Sequence, residues 1–494
     1  MPHAPSRPIF TVAALREFEA RHVAVEPPLM ERAGAAAVAP ALELIGTDGA
    51  PPLIICGPGN NGGDGFVLAR LLRERGLAPV VVFAGSEERL PGDARRALSR
   101  YRDAGGTLAG ATIPPGRYAL AVDALFGIGL QRPLEGPHAE LVARLNGLDC
   151  SRLALDIPSG LCADTGRVLG AALRAERTAT FIALKPGLLT LDGPDHCGSI
   201  DVCGLGLDAG SEAAGRTATP QLFAGRLRPR PRNSHKGMMG SAAILGGAAG
   251  MAGAALLAGR AALKLGAGRV FVGLLDVDAP AVDFVQPELM LRRPQEILAA
   301  GLATALAAGP GLGQSGEAAA LLRQAIAAPL PLLLDADALN LLAARPVLAA
   351  KLRRREAPTL LTPHPLEAAR LLGSDAASVQ ADRLGAALAL AGKFAAVVVL
   401  KGCGSVIAAP GGRWFINESG NPGMASAGMG DVLSGLALAL LAQGWEAEAA
   451  ALCAVHLHGL AADLLAGGGV GPAGLAAGET IDAARRLFNA WIAA

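Results

Sequence analysis

The chain has 494 residues, a net charge of +1 and an apolar fraction of 51 %, with 65 glycines but only 3 % aromatic residues. Such a length asks for two or three domains, and a near-neutral balance of interspersed acids and bases excludes the footprint of a nucleic-acid binder. Arg260 and Lys264 interrupt the longest Ala/Gly-rich run, prolines fill the stretch Met1–Phe10, and seven scattered cysteines include no CxxC pair; no membrane span, no signal peptide and no structural zinc are therefore expected, and free thiols in the cytoplasm are.

Short β runs alternate with amphipathic helices through the first half. Strands are predicted at Leu53–Cys56, Pro79–Phe83, Tyr118–Val122, Arg152–Leu155, Thr178–Ala183 and Ser199–Val202, with a helix from Phe66 to Arg75. Strands separated by helices of this length imply a parallel sheet covered on both faces. From about Asp208 to Arg232 the pattern dissolves, and Arg226–Arg232 reads as a solvated connector. Alternation restarts with strands at Ala242–Leu245, Val270–Leu274, Pro331–Leu334, Thr359–Leu361 and Ala395–Leu400, and a helix over Ala252–Leu265. A hairpin, Val406–Ala408 with Trp414–Ile416, precedes helices at Val432–Ala442 and Ala447–Leu465. The fold class is α/β: a Rossmann-like first domain (1–215), a linker (216–232) and a second α/β domain (233–494).

Three loops of the first half follow strand ends, where open α/β sheets place ligands. The first, Gly57-Pro-Gly59-Asn60-Asn61-Gly62-Gly63-Asp64-Gly65, formally matches a dinucleotide fingerprint, with Glu87 and Glu88 beyond the next strand. Its two carboxamides and Asp64 occupy positions where a pyrophosphate wants bare N–H groups, so the loop suits hydroxyls, amides or a ribose better. The others are Asp123-Ala-Leu-Phe-Gly127-Ile128-Gly129-Leu130-Gln131-Arg132-Pro133 and Asp156-Ile-Pro-Ser159-Gly160. Oxygen donors without Cys or His favour a hard cation. Singly, each Asp could also be a turn former.

In the second half, Gly428-Met-Gly430-Asp431 opens a helix whose positive end suits a phosphate. A carboxylate there repels such an anion. Asp431 is thus either a general base beside a reacting phosphoryl group or a helix cap contributing about 1 kcal/mol. No Walker A motif occurs. Lys401-Gly402-Cys403-Gly404-Ser405 at a strand end suits a nucleotide, and His364 lies in Thr-Pro-His-Pro three residues before Glu367. His456 and His458, spaced i, i+2, do not share a helix face and are not read as a metal pair.

The first-half loops resemble the NAD(P)HX epimerases, and the second half resembles the ribokinase-like, ADP-dependent NAD(P)HX dehydratases. From Thr11 onward the chain resembles their fusion, the bifunctional NAD(P)H-hydrate repair family. The resemblance implies epimerisation of R- and S-NAD(P)HX, then dehydration of the S epimer by phosphorylation from ADP and phosphate elimination. In the first domain it implies substrate binding by Asn60 to Asp64 and Gly127 to Pro133, a potassium site of Asn61, Asp123 and Ser159, and Asp156 as acid/base. In the second it implies Asp431 as base and Ala254, Gly311 and His364 against the hydrated cofactor. Lys401 to Ser405 and Gly430 would hold the nucleotide, and Glu367 would organise magnesium through water. It also implies NADHX and NADPHX as partners and association into homo-oligomers. Cys162, Arg32, Leu366, Ser405 and Met251 depart from the family pattern. The alternative is a ribokinase-type kinase fused to a non-catalytic binding module.

Overall fold

A computed structural model describes residues 5–493. They form two compact units, one spanning Arg7–Gly215 and the other running from Arg216 onward with Ser6 joined to it.

The first unit carries a parallel sheet in the order Val80–Phe83, Leu53–Cys56, Leu120–Ala124, Ser151–Leu155, Arg177–Phe181, Ser199–Cys203. Its central strands are apolar and buried on both faces, as a sheet sandwiched between helices requires. Helix Gly92–Asp103 buries Ala94, Ala97, Leu98 and Tyr101, a stripe at i, i+3, i+4 and i+7. The order reverses between Leu53–Cys56 and Leu120–Ala124. A crevice is expected at such a point, outside the carboxyl ends of the strands.

Two expectations shift here. The helix assigned from Phe66 begins at Asn60, so Asn60–Asp64 is its first turn rather than a loop. Close packing explains this. A Cβ at Gly62 would lie 2.1 Å from the Gly57 carbonyl oxygen, and one at Gly65 would lie 2.6 Å from Ala124 Cβ. Only glycine lets the helix come so near the sheet, and that contact outweighs a propensity cost of about 1 kcal/mol per glycine. The strand assigned to Tyr118–Val122 runs instead over Leu120–Ala124, because the Tyr118 hydroxyl donates to Pro114 O at 2.8 Å and stays with the preceding loop. Asp123 is thereby inside the strand.

The second unit's sheet runs Gly215–Thr217, Trp414–Ile416, Val406–Ala408, Val397–Leu400, Thr359–Leu361, Leu332–Leu334, Ala305–Ala308, Ser241–Gly246, Arg269–Leu274, Met290–Arg292. The hairpin strands are antiparallel, and those from Val397–Leu400 onward are parallel. Here the order reverses between Ser241–Gly246 and Ala305–Ala308, an alanine-rich strand that the sequence reading passed over. The stretch 216–232 is no free linker. It continues a strand, forms turns at Pro220–Leu222 and Ala224–Arg226, and buries Phe223 against Trp445 and Trp491.

Among the described residues one helix, Ala447–Gly467, is long and apolar enough to cross a membrane by length and composition. It is a core helix of this unit, with 61 % of its apolar window buried. Its Asp463 accepts from Gly420 N and Asn421 Nδ2 at 2.8 and 2.9 Å, pinning the approach to the Gly428 turn.

Candidate active sites

In the first unit, the three loops converge at the reversal point. A Cβ at Gly57 would fall 1.7 Å from Leu125 O, so this glycine is what allows the first two loops to touch. Asp123, 1 % exposed, accepts from Leu125 N (3.1 Å), Ser159 Oγ (2.7 Å) and Ser159 N (2.8 Å). Burial raises its pKa, and these hydrogen bonds oppose the rise. Ser159 Oγ in turn accepts from Phe126 N at 2.8 Å. One residue on, a Cβ at Gly127 would lie 2.8 Å from Asp156 Oδ2 and 3.4 Å from Asn61 Cγ. Asn61, Gly127 and Asp156 are thus neighbours, while Gly129 and Gln131–Pro133 are exposed beyond them. The Asn61 amide is buried, and neither its Nδ2 nor its Oδ1 has a hydrogen-bond partner. A buried amide left bare costs roughly 1–3 kcal/mol, and both of its polar atoms stand open to a ligand.

Asp156 sits at φ +67°, a left-handed conformation that an Asp adopts more readily than most residues. Its Oδ2 accepts from Ile128 N at 3.1 Å, and its Oδ1 meets Lys185 Nζ at 2.5 Å. Lys185 is fully buried and also donates to Thr180 Oγ1 (2.8 Å) and Phe181 O (3.0 Å), so all three of its N–H bonds are used. Sequence reasoning missed it. The available signal was its place just past the strand Arg177–Phe181, the same strand-end position that had marked Asp123 and Asp156. Asp64 is pushed well up by burial and by the charges of Asp156 and Glu19. Glu19, on helix Val12–Arg21, is raised by burial and then by Asp156. One lysine therefore serves a site of several carboxylates.

In the second unit, helix Met429–Ala442 begins at Gly428, which is its N-cap at φ +89° and makes no side-chain cap bond. Asp431 lies in the first turn but does not cap. Its carboxylate has no hydrogen-bond partner among the described residues. Burial and the charge of Asp335 raise its pKa to about 6, against the pull of Lys401. Lys401 follows the strand Val397–Leu400 and turns its Nζ to Asp335 Oδ1 at 2.6 Å; Asp335 Oδ2 accepts from Ser434 Oγ at 2.7 Å. A Cβ at Gly430 would lie 3.3 Å from Lys401 Nζ, which puts the ammonium at the start of the helix. Asp335 and Ser434 carried no role in the sequence reading.

The loop after Lys401 is held from beneath and from within. Arg383, buried, donates to Leu400 O and Lys401 O at 3.3 Å each. Ser405 Oγ closes on Gly402, donating to its O at 3.1 Å and accepting from its N at 3.3 Å. Cys403 at the tip is exposed. His364 caps helix Pro365–Leu372: its Nδ1 accepts from Leu366 N at 3.1 Å, its Nε2 faces Glu367 Oε1 at 3.2 Å, and Glu367 Oε2 accepts from His364 N. Both ring nitrogens are engaged, so what His364 offers a ligand is its half-exposed ring. Glu367 is buried and pushed up to about 7. Gly311, at φ +59°, lies against Met251 O, so the Gly311 loop touches the start of helix Ala252–Lys264 that carries Ala254. One turn further along that helix, Leu257 packs on Gly428.

Fold and site together define an α/β protein with two candidate centres, each at strand ends and each gathering aspartates around one lysine. Residues 242–474 match the family described as NAD(P)H-hydrate dehydratase, and residues 26–187 match the YjeF-related protein N-terminus. The chain is 40 % identical to the bifunctional NAD(P)H-hydrate repair enzyme of Coxiella burnetii over 447 residues, 88 % of this chain and 90 % of that one. It is 40 % identical to the Escherichia coli enzyme of the same description, covering 88 % and 85 %. A ribokinase-like superfamily protein of Enterococcus faecalis superposes with a TM-score of 0.50 at 25 % identity, over 56 % of this chain and 96 % of that one. The chain belongs to the bifunctional NAD(P)H-hydrate repair enzymes, which join an epimerase unit to a dehydratase unit.

Proposed function

We propose that Asp156 and Asp431 are the two acid/base residues of a two-step repair of hydrated NADH and NADPH. In the first unit, Asp156 takes the proton of the C6 hydroxyl of NADHX or NADPHX. The C6–N1 bond opens to an aldehyde and N1 is protonated; rotation and reclosure on the other face return the proton and invert C6. Asn61 and the Gly127–Pro133 segment hold the ring against Asp156. Asn61, Asp123 and Ser159 would hold potassium, an oxygen-only set that fits a hard cation, with the bare Asn61 amide as the supporting observation. When bound, the ion supplies a fixed positive charge beside the substrate.

In the second unit, Asp431 takes the C6 hydroxyl proton of the S epimer, and the oxygen attacks the β-phosphorus of ADP. The P–O bond to AMP breaks and AMP leaves with the electron pair. The C6–O bond of the phosphate ester then breaks, pushed by the N1 lone pair, and loss of a C5 proton regenerates the dihydronicotinamide. Magnesium would arrive on the ADP phosphates and neutralise their charge, with Glu367 organising it through water and Asp431 left free as the base. Lys401 to Ser405 and Gly430 hold the nucleotide, and Ala254, Gly311 and His364 line the substrate side. The setting is cytoplasmic and homo-oligomeric.

The observation that carries this reading is the unpartnered Asp431 carboxylate, raised to about 6, beside a lysine at a helix N-terminus. It is tested by incubating mixed R and S hydrates with ADP and magnesium. Full recovery of NADH absorbance by the wild type and none by Asp431→Asn is expected. Accumulation of a stable phosphorylated product would instead mark a kinase.

A further inference from the structure

We infer that Lys401 is a catalytic residue of the second unit, its ammonium contacting the phosphoryl group in transfer, and that Asp335 and Ser434 are positioning residues that aim it. This rests on the dehydratase reading above and goes beyond a nucleotide-holding role for the Lys401–Ser405 loop.

The backbone of Lys401 belongs to the loop, and its N donates to Pro363 O at 2.9 Å. The side chain, however, leaves the loop and ends 2.6 Å from Asp335, close to the position a Gly430 side chain would fill. It therefore reaches the turn that presents the helix's free N–H groups. Of its three N–H bonds, Asp335 takes one; among the described residues no other acceptor lies within hydrogen-bond distance. Two donors remain for a ligand. Lys185 in the first unit, fully buried, spends all three on protein and has none left, whereas Lys401 is partly exposed and keeps two open.

Electrostatics points the same way. Burial disfavours the ammonium, but the charges of Asp335, Glu367 and Asp431 together outweigh it and raise its pKa. Asp335, 1 % exposed and held at its other oxygen by Ser434, is a fixed counter-charge. Ser434 lies on the same helix as Gly430 and Asp431, so the network ties Lys401 to the element carrying the base. During transfer, charge develops on the phosphoryl oxygens and on the AMP oxygen that leaves. A preorganised cation there stabilises the transition state more than the bound ground state.

The test separates contact with the transferring group from nucleotide holding, because AMP lacks that group. Lys401→Met, Lys401→Arg and Asp335→Asn are compared with wild type for kcat, for KM of ADP and for the calorimetric Kd of AMP. Lys401→Met is expected to lower kcat roughly 100-fold or more while the Kd for AMP moves less than about threefold. Lys401→Arg should recover part of kcat, and Asp335→Asn should lower kcat with AMP binding intact. An unchanged kcat in Lys401→Met, or a loss of AMP affinity that accounts for its whole defect, overturns the inference. If the Met variant does not fold, the Arg and Asn variants decide by the same split. A wild type that turns over no S hydrate with ADP overturns the dehydratase reading itself. An active wild type with an equally active Lys401→Met overturns only the role of Lys401.

Discussion

The two centres use the same parts and wire them differently. In the first, the buried lysine goes directly to the carboxylate we propose as acid/base, Lys185 to Asp156 at 2.5 Å. In the second, the partly buried Lys401 goes to a third carboxylate, Asp335, and the proposed base Asp431 is left without a partner and raised to about 6. The difference matches the two chemistries. Epimerisation must return the proton it takes, and a base clamped at both oxygens is held in one place throughout. Phosphoryl transfer needs a base that keeps the proton while phosphate charge develops, and a lysine free to face that charge.

The comparison breaks most sharply with the bases themselves. Asp431→Asn should abolish dehydration by about 10³-fold and leave epimerisation untouched, while Asp156→Asn should do the reverse, within the usual range for general-base removal. Chromatographic separation of R, S and reduced cofactor reads both rates at once. A loss of both activities in either variant would mean that the centres are not independent.

Lys185→Met comes next. It strips one partner from Asp156 and should slow epimerisation about 100-fold. Breaking a pair with a fully buried lysine should also cost roughly 3 kcal/mol, seen as a lower melting temperature. Lys401→Met should lower melting less, since Asp335 keeps its bond from Ser434.

The raised pKa of Asp431 gives a pH signature with a definite sign. Dehydration should fall as pH drops through about 6, when the base protonates. For stability the folded pKa lies above the ordinary carboxylate value, so the folded state binds the proton more tightly. The contribution is therefore fully present below about pH 4 and is lost as pH rises through about 6. Asp431→Asn should accordingly be more stable than wild type at pH 8 by about 2 kcal/mol, after allowing for partial exposure. At pH 4 the gap should vanish, and thermal unfolding at the two pH values checks it. The smallest effect is expected at Ser405, whose hydroxyl closes the nucleotide loop on Gly402. Ser405→Ala should raise KM for ADP about fivefold, the worth of one net hydrogen bond, with kcat unchanged.

How much of this was legible in the sequence depended on the kind of signal. Asp123, Asp156 and the Gly428–Asp431 turn announced themselves because strand ends and glycine turns leave a local mark. Lys185 and Asp335 also follow strands, but nothing local gives them a role, since their partners lie 29 and 66 residues away. The first turn at Asn60–Asp64 was misread as a loop because glycine usually breaks helices, and only the closeness of the sheet explains its use here. Ala305–Ala308 passed unnoticed because alanine carries little strand preference; its two neighbouring strands supply the reason for its conformation. The arginines of 226–232 looked solvated. All four are exposed, as expected of a connector, while the stretch before them is anchored by Phe223 among aromatic rings and Arg230 donates to Gly266 O at 2.7 Å.

The central claim, two independent centres acting in series on one damaged cofactor, is tested most directly by giving the protein pure R hydrate with ADP and magnesium. Both epimers and the reduced cofactor are followed, for wild type and Asp431→Asn. Full recovery of NADH by the wild type is expected and, in the variant, an R/S mixture reached at the wild-type rate with no NADH formed. NADH produced by Asp431→Asn, or R hydrate left untouched by it beyond the spontaneous rate, would contradict the account.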